Sequence, residues 1–434
     1  MTPPTTRLPS RPGDFRLLWA GQSLSLLGDY FAVLALPLLA LDVVGDSPAQ
    51  AALLPFALFA PFLVLGLPAG AIVDRLSRRA TMLACEALQI AAFGAIAGLA
   101  LLDALAFPTL LALVAISGSA VVFFQIACAS VLPELLTTEA ELRVGNARMF
   151  LSESVSRTLG PVVAGPVIAA LGAVAAICAN AVSFVVSFAT LLAIGRRGAA
   201  AASTAEPRRR ERGWLVRDVR EGMAFVFRHE TLEPVITCGV VYVCFLTMIE
   251  ASLIVYCRNV LGLGATGIGA IIGVAGAGFP IGNLLSSRLA ARFGVARTLV
   301  GSAAVAAVGL VITPIAGSLG SVTGLIVAGV IHGTGEGVFG PTAMTLRQTE
   351  TPDALLGRVN SVQRFLVWGA GPLGSLLAMA CIRMWGLGAA LWIGGLGTTL
   401  CLPVLLRRGV LRELWPREGR RLPAPPEPVN LNLT

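Results

Sequence analysis

The chain has 434 residues, 56% of them hydrophobic and 13% charged, with a mean hydropathy of +0.82. A soluble domain carries about a quarter charged residues on its surface, so a water-soluble globule is excluded and lipid is the natural solvent. The net charge of +8 does not signal nucleic acid, because it falls in short arginine clusters between apolar runs.

The polar N-terminus, Met1 to Asp14, runs into a first apolar stretch without a cleavage-like site, so no cleavable signal peptide is expected. Runs of about 20 apolar residues, the length that crosses a bilayer, predict twelve spans. They lie at 17–42, 50–73, 80–102, 107–131, 147–171, 174–195, 235–257, 266–287, 297–316, 321–345, 360–383 and 387–406. The long polar interruption sits between the sixth and seventh. An all-α integral membrane protein of two six-helix bundles follows, residues 1–195 and 234–406, with a basic linker at 196–233 and a tail at 407–434. Within the linker, Leu215, Val219, Met223 and Val226 share one face of an amphipathic surface helix.

Every basic residue is arginine, and all but Arg157, Arg258 and Arg383 fall on one side of this topology. That bias predicts a multi-pass protein of the cell (inner) membrane with both termini cytoplasmic. The eight cysteines lie in or beside apolar stretches with no metal-ligand spacing; packing is their expected role, and neither metal nor cofactor is expected. The halves echo each other weakly. Pro133-Glu134-Leu135 precedes a span with Gly160-Pro161, and Glu350-Thr351-Pro352-Asp353 precedes one with Gly371-Pro372. Two related bundles are the repeat architecture of many transporters.

The loop between spans two and three reads Gly70-Ala71-Ile72-Val73-Asp74-Arg75-Leu76-Ser77-Arg78-Arg79. A glycine there lets the end of helix two approach a neighbour, and an aspartate at the membrane edge can face a helix N-terminus and adjacent arginines. This string resembles the loop signature of the major facilitator superfamily, G-x-x-x-D-R-x-x-R-R. The resemblance implies the major facilitator fold, transport by alternating access, and a gating rather than substrate-contacting role for Gly70, Asp74, Arg75, Arg78 and Arg79. The second-half counterpart, Gly282 to Arg292, lacks the aspartate. Phe15-Arg16-Leu17-Leu18-Trp19, Gly28-Asp29, Leu132-Pro133-Glu134-Leu135, Arg217 with Glu221-Gly222, and Arg228-His229 are similar to the branch containing macrolide-efflux proteins and the enterobactin exporter. Exporters of the family carry G-P-x-x-G-G in span five, which Gly160-Pro161-Val162-Val163-Ala164-Gly165 matches in part. The resemblance favours antiport; a proline-kinked helix packed through its glycines is the alternative.

Ionisable residues inside a span are costly and mark pathways or proton sites. Asp29 lies about 20 Å into a roughly 30 Å core and is the first candidate for proton binding or cation recognition. Glu153 and Arg157 stand four apart in span five, spaced to pair along one helix or to face a cavity. His332 and Glu336 stand four apart in span ten, a pair suited to titration. Glu250 reads as isolated toward the outer face and Arg364 as an interfacial anchor. The glycines of His332-Gly333-Thr334-Gly335-Glu336-Gly337 imitate a phosphate loop but lack its strand and its Lys-Ser/Thr. Tyr30, Phe31, Phe124, Tyr242 and Met248 could line a greasy pocket.

These readings lead to a secondary transporter, proton-coupled, exporting a hydrophobic or amphipathic small molecule such as an antibiotic or siderophore. The expected partners are that small molecule, protons and the bilayer, with no nucleic acid, and the expected state is a monomer. A lipid or lysolipid flippase and a non-transporting sensor on the same scaffold stay open as alternatives. An enzyme is not expected, since the two histidines join no nucleophile–base or metal constellation.

Overall fold

The computed structural model describes residues 12–42, 45, 47–73, 76–194 and 214–407, and every regular element among them is an α-helix. Asp74 and Arg75 of the loop string, the first part of the basic linker and nearly all of the C-terminal tail lie outside the described residues. Backbone amides in hydrocarbon have no water to bond, so each apolar run satisfies its own N–H and C=O groups by coiling.

Twelve helical stretches among the described residues are long and apolar enough to cross a membrane. In chain order the first six spans are α1 (Pro12–Asp42), α2 (Pro48–Ala51) with α3 (Leu54–Val73), α4 (Arg78–Leu101), α5 (Phe107–Leu135), α6 (Glu139–Leu171) and α7 (Ala173–Ala193). A surface helix, α8 (Trp214–Arg228), follows. The last six spans are α9 (Leu232–Asn259), α10 (Ala265–Gly276) with α11 (Gly278–Phe293), α12 (Val295–Ser318), α13 (Val322–Glu350), α14 (Asp353–Trp368) with α15 (Gly371–Trp385), and α16 (Leu387–Thr398) with α17 (Cys401–Leu405).

The helices run past the apolar stretches that predict them. The fifth starts at Glu139 rather than 147 because Thr138 and Glu141 form a capping box, which satisfies two orphan amides ahead of the apolar run. The third starts on the Ser77 cap, whose Oγ accepts from Ala80 N at 3.3 Å. The tenth continues to Glu350 and the eleventh begins at Asp353, so both project polar turns beyond the lipid-matched segment. The eleventh span breaks at Gly369 and Ala370 before Pro372, whereas α6 runs unbroken through Pro161 and Pro166.

Within the first half, α1 packs on α6 and α7, α4 on α5 and α7, and α3 on α5; in the second, α9 packs on α15 and α16, and α12 and α11 on α13. The halves meet where α6 lies along α10 and where α3 lies along α14 and α15. An even number of crossings puts Pro12 and Arg407 on one side, here called the terminal side. On the far side the halves are joined. Asp42 at the end of α1 bonds Arg258 at the end of α9 at 3.0 Å. Ala52 is packed among Met248, Ala251, Ala378 and Cys381, and one apolar cluster runs from Ala32 and Ala40 through Ile168 to Ile254 and Ile271.

Toward the terminal side α6 and the eighth span part. Val144, Leu151 and Val155 of α6 are exposed, and α11 leans on α13 instead. Helix α8 is a surface helix as its period predicts, but its apolar face is covered by protein. Val226 is wholly buried among Ile236, Val359, Val362 and Val367, and Glu221 pairs with Arg358 at 2.6 Å.

Candidate transport site

The centre of the molecule holds one ion pair made by both halves. Arg157 rises from α6 and Glu336 from α13, the latter fourteen residues from the helix end, roughly 21 Å along its axis. Arg157 Nη2 donates to Glu336 Oε2 at 2.7 Å, and Nη1 reaches Oε1 at 3.4 Å, a two-pronged contact. The guanidinium also lies 4.6 Å from the ring centroid of Phe279 on α11. Each charged side chain keeps about a quarter of its surface open, 25% and 24%, so the pair lines the gap between the halves rather than a sealed core.

Glu336 connects to a second group of polar side chains. His332, one turn earlier on α13, has Nε2 3.9 Å from Glu336 Oε2 and shares a 2.6 Å hydrogen bond with Tyr242 Oη from α9. The i, i+4 spacing of His332 and Glu336 therefore brings them together as expected. The spacing of Glu153 and Arg157 does not: the guanidinium is given to Glu336, and Glu153 stays exposed within electrostatic range of both. The partner on the other helix meets the planar fork with both of its oxygens. Glu250, read as isolated, also lies within electrostatic range of Arg157 and Glu336. One guanidinium thus answers to three carboxylates. The phosphate-loop look-alike is plain helix, and its glycines serve contact: a Cβ on Gly335 would stand 2.6 Å from Ser302 O of α12.

Asp29 is half-buried on α1, facing Asn180 of α7, whose Oδ1 accepts from Ser183 Oγ at 3.2 Å. It lies in the first bundle, apart from the Arg157–Glu336 pair. Its neighbour Tyr30 reaches that pair, packing on Gly160 and lying in the electrostatic field of Arg157. One carboxyl escaped the sequence reading. Glu86 sits inside the third span, 1% exposed, where Oε1 accepts from Ser187 Oγ at 2.6 Å and faces Gln22 Nε2 at 3.5 Å. The signal was present in the sequence: an ionisable residue within residues 80–102 meets the same criterion as Asp29.

The loop string resolves into three parts. Arg78 bonds Ser130 O at 3.1 Å and pairs with Glu134, so the loop string meets the Leu132-Pro133-Glu134-Leu135 string at one contact. Arg79 donates to Leu191 O at 3.1 Å and Leu192 O at 2.9 Å, bracing the free carbonyls at the end of α7. Both contacts stay within the first half. Gly70 departs from expectation: a Cβ there would meet nothing within 4 Å among the described residues, so close helix approach is not its role in this conformation. Asp74 and Arg75 lie outside the described residues.

The span-five string is a contact surface between halves. A Cβ on Gly165 would stand 2.7 Å from Ala265 O, and Gly269 of α10 is pressed on Pro161 O and Gly165. These glycines let α6 and α10 touch backbone to backbone. The apolar pocket candidates divide. Phe31, Phe124 and Met248 are buried in packing clusters, while Tyr30 and Tyr242 face the charged centre. Arg364, expected as an anchor, lines a crevice between the halves with Phe62, Gly66, Val122 and Ile126.

A family model described as Major Facilitator Superfamily matches residues 18–375 and 261–432. The multidrug efflux pump Tap of Mycobacterium tuberculosis, and that of Mycobacterium bovis, is 28% identical over 422 residues, covering 93% of this chain and 96% of the pump. Among solved structures, a bacterial homologue of the iron transporter ferroportin in its inward-facing state superposes with a TM-score of 0.70 at 18% identity, covering 92% of this chain and 99% of that one. The nucleoside transporter NupG does so with a TM-score of 0.72 at 10% identity, covering 91% and 98%. At such identities the two structures support the shared fold alone.

Proposed function

The chain belongs to the Major Facilitator Superfamily, a membrane transporter rather than an enzyme, and we propose that it is a proton-coupled exporter of hydrophobic or amphipathic small molecules. The observation that carries the reading is the Arg157–Glu336 pair, one partner from each half, set in the membrane interior beside His332 and Tyr242. The efflux activity in the name of the Tap relatives supports the direction of transport.

In the conformation seen, the halves are joined on the far side, and α6 and α11 part on the terminal side. The arginine bias places both termini in the cytoplasm, so this is the state that loads from the cytoplasm. A proton on Glu336 removes one charge of the pair and weakens the hold of α13 on α6; His332 and Tyr242 offer a hydrogen-bonded route for that proton. Release of the pair lets the halves rock about the α6–α10 glycine contact and open to the far side. Tyr30 and Tyr242 present aromatic faces to the substrate, and the excess of carboxylates over cations suits a substrate carrying positive charge. In this reading the loop from Gly70 to Arg79 is the gate, with Arg78 and Arg79 anchoring its far end in the first bundle. The transporter acts as a monomer in the inner membrane.

Everted membrane vesicles with an imposed proton gradient test this, using ethidium, a macrolide and a siderophore as probes. Wild type is expected to accumulate at least one of them, and Glu336→Gln to lose accumulation ten-fold or more. Full proton-driven accumulation by Glu336→Gln would remove the pair from coupling. A wild type moving no probe under any gradient would overturn export itself.

A further inference from the structure

The first bundle contains a carboxyl that the cross-half pair does not use. Glu86 is enclosed by α1, α5 and α7 at 1% exposure. Its Oε1 has the Ser187 hydroxyl and the distant Gln22 amide, and its Oε2 is fully buried with no partner. The titratable groups around it are Asp29 from α1, Cys128 from α5 and its own neighbour Cys85; α7 contributes the Ser187 hydroxyl. Gln89, one turn on, is uncharged and also buried. The basic side chain on the same face, Arg79, lies two turns away and is bonded to the carbonyls of Leu191 and Leu192. Among the described residues Glu86 therefore has no counter-charge in contact, and the charged group near it, Asp29, is of like sign. An unpaired ion in such surroundings is far costlier than the neutral acid, and a packing role is met more cheaply by glutamine.

We infer that Glu86 is a second proton-binding site, a carboxyl inside the first bundle that takes up and gives back one proton in each transport cycle. Asp29, half-buried on α1, is the neighbouring acid whose charge opposes that of Glu86. Loading makes the O–H bond of Glu86 and leaves Asp29 the sole charge of the two. Unloading breaks that bond and sends the proton to water in the gap; no electron moves. The inference rests on proton-driven export for its place in the cycle, though not for the existence of the site.

The test uses the full-length protein in liposomes and has one arm that needs no transport. Infrared spectra are expected to show a carboxylic-acid C=O band that Glu86→Gln removes and Asp29→Asn retains. Dicyclohexylcarbodiimide, which attacks protonated carboxyls in apolar surroundings, is expected to label Glu86 in peptide mass spectra, less so as pH rises. In Ser187→Ala the band should persist and shift to higher frequency as its hydrogen-bond donor is lost. In the second arm, Glu86→Gln is expected to lose proton-driven ethidium accumulation ten-fold or more while ethidium exchange stays within two-fold of wild type. Glutamine keeps the shape and both oxygen-side contacts, and an unchanged melting temperature establishes that the variant is folded. A band untouched in Glu86→Gln, protection of Glu86 from the carbodiimide by sodium rather than by alkaline pH, or undiminished accumulation by Glu86→Gln each overturns the proposal. A wild type that moves no probe defeats the exporter reading alone, and the infrared and labelling arm then decides for Glu86.

Discussion

Glu86 and Glu336 are the same residue in the same solvent, settled in opposite ways. Glu336 lies where the two halves meet and is held by an arginine from the other half, with a quarter of its side chain open to the gap. Glu86 is enclosed within the first bundle, held on one oxygen by a serine hydroxyl and on the other by nothing among the described residues. A charge answered across a moving boundary responds to that movement. A carboxyl closed within a bundle responds to protons and to its neighbours instead. In the proposed cycle the contrast separates two tasks of the first-half and second-half acids, storing a proton and opening the interface.

The most severe break in this comparison is to take away one side of the cross-half pair. Arg157→Gln leaves Glu336 facing Glu153 and Glu250 without its cation, and losing one partner of a buried pair costs about 3–5 kcal/mol. The lower figure fits here because the pair retains partial exposure. A fall of 100-fold or more in ethidium efflux is expected, with partial recovery in the double variant Arg157→Gln/Glu336→Gln. No recovery would mean that Arg157 acts apart from Glu336.

A smaller effect is expected from the frame that brings the pair together. Gly269→Leu forces side-chain volume between α10 and the Pro161 carbonyl, at about 1–3 kcal/mol of overpacking. The melting temperature should drop, and a cysteine pair placed across the far side should cross-link less. Gly70→Ala, at a position with open space, is expected to leave both readouts unchanged. The infrared band expected from Glu86 should survive Gly269→Leu, because that site lies within one bundle.

Ser187→Ala removes the hydrogen bond that Glu86 does have and is expected to cost about 1 kcal/mol in unfolding experiments. The smallest change is Arg258→Ala. Its pair with Asp42 is exposed on both sides, 40% and 43%, and such pairs contribute about 0–1 kcal/mol. A modest shift toward the far-side-open state, at most a few-fold in cross-linking rate and reduced further by salt, is the expected reading.

How much of this was legible beforehand varies with the range of the interaction. Twelve spans, the six-plus-six division and a surface helix follow from runs of apolar residues and a helical period, which are local properties of the chain. Helix ends were less legible, because caps such as Thr138 with Glu141 outrun the apolar stretch. The His332–Glu336 approach was legible for the same local reason: one helical turn joins them. The partner of Arg157 was not legible, because spacing along a helix describes only its own turns and offers Glu153 or a cavity, while Glu336 is 179 residues away. Glu86 was as visible in the sequence as Asp29. Its missing counter-charge was not visible, since that depends on which side chains α1, α5 and α7 turn toward it.

By itself the sequence determined the solvent, the number of crossings, the family resemblance and the side on which arginines gather, all of which are sums over neighbouring residues in lipid. Only the tertiary structure decided that Arg157 crosses to Glu336, that Gly165 and Gly269 join the halves, and that, among the described residues, Gly70 stands in open space and Glu86 is enclosed without a cation. The physical reason is common to all four. A long-range contact depends on two helix faces being turned to each other, and that rotation is set by the packing of the whole bundle rather than by any one span.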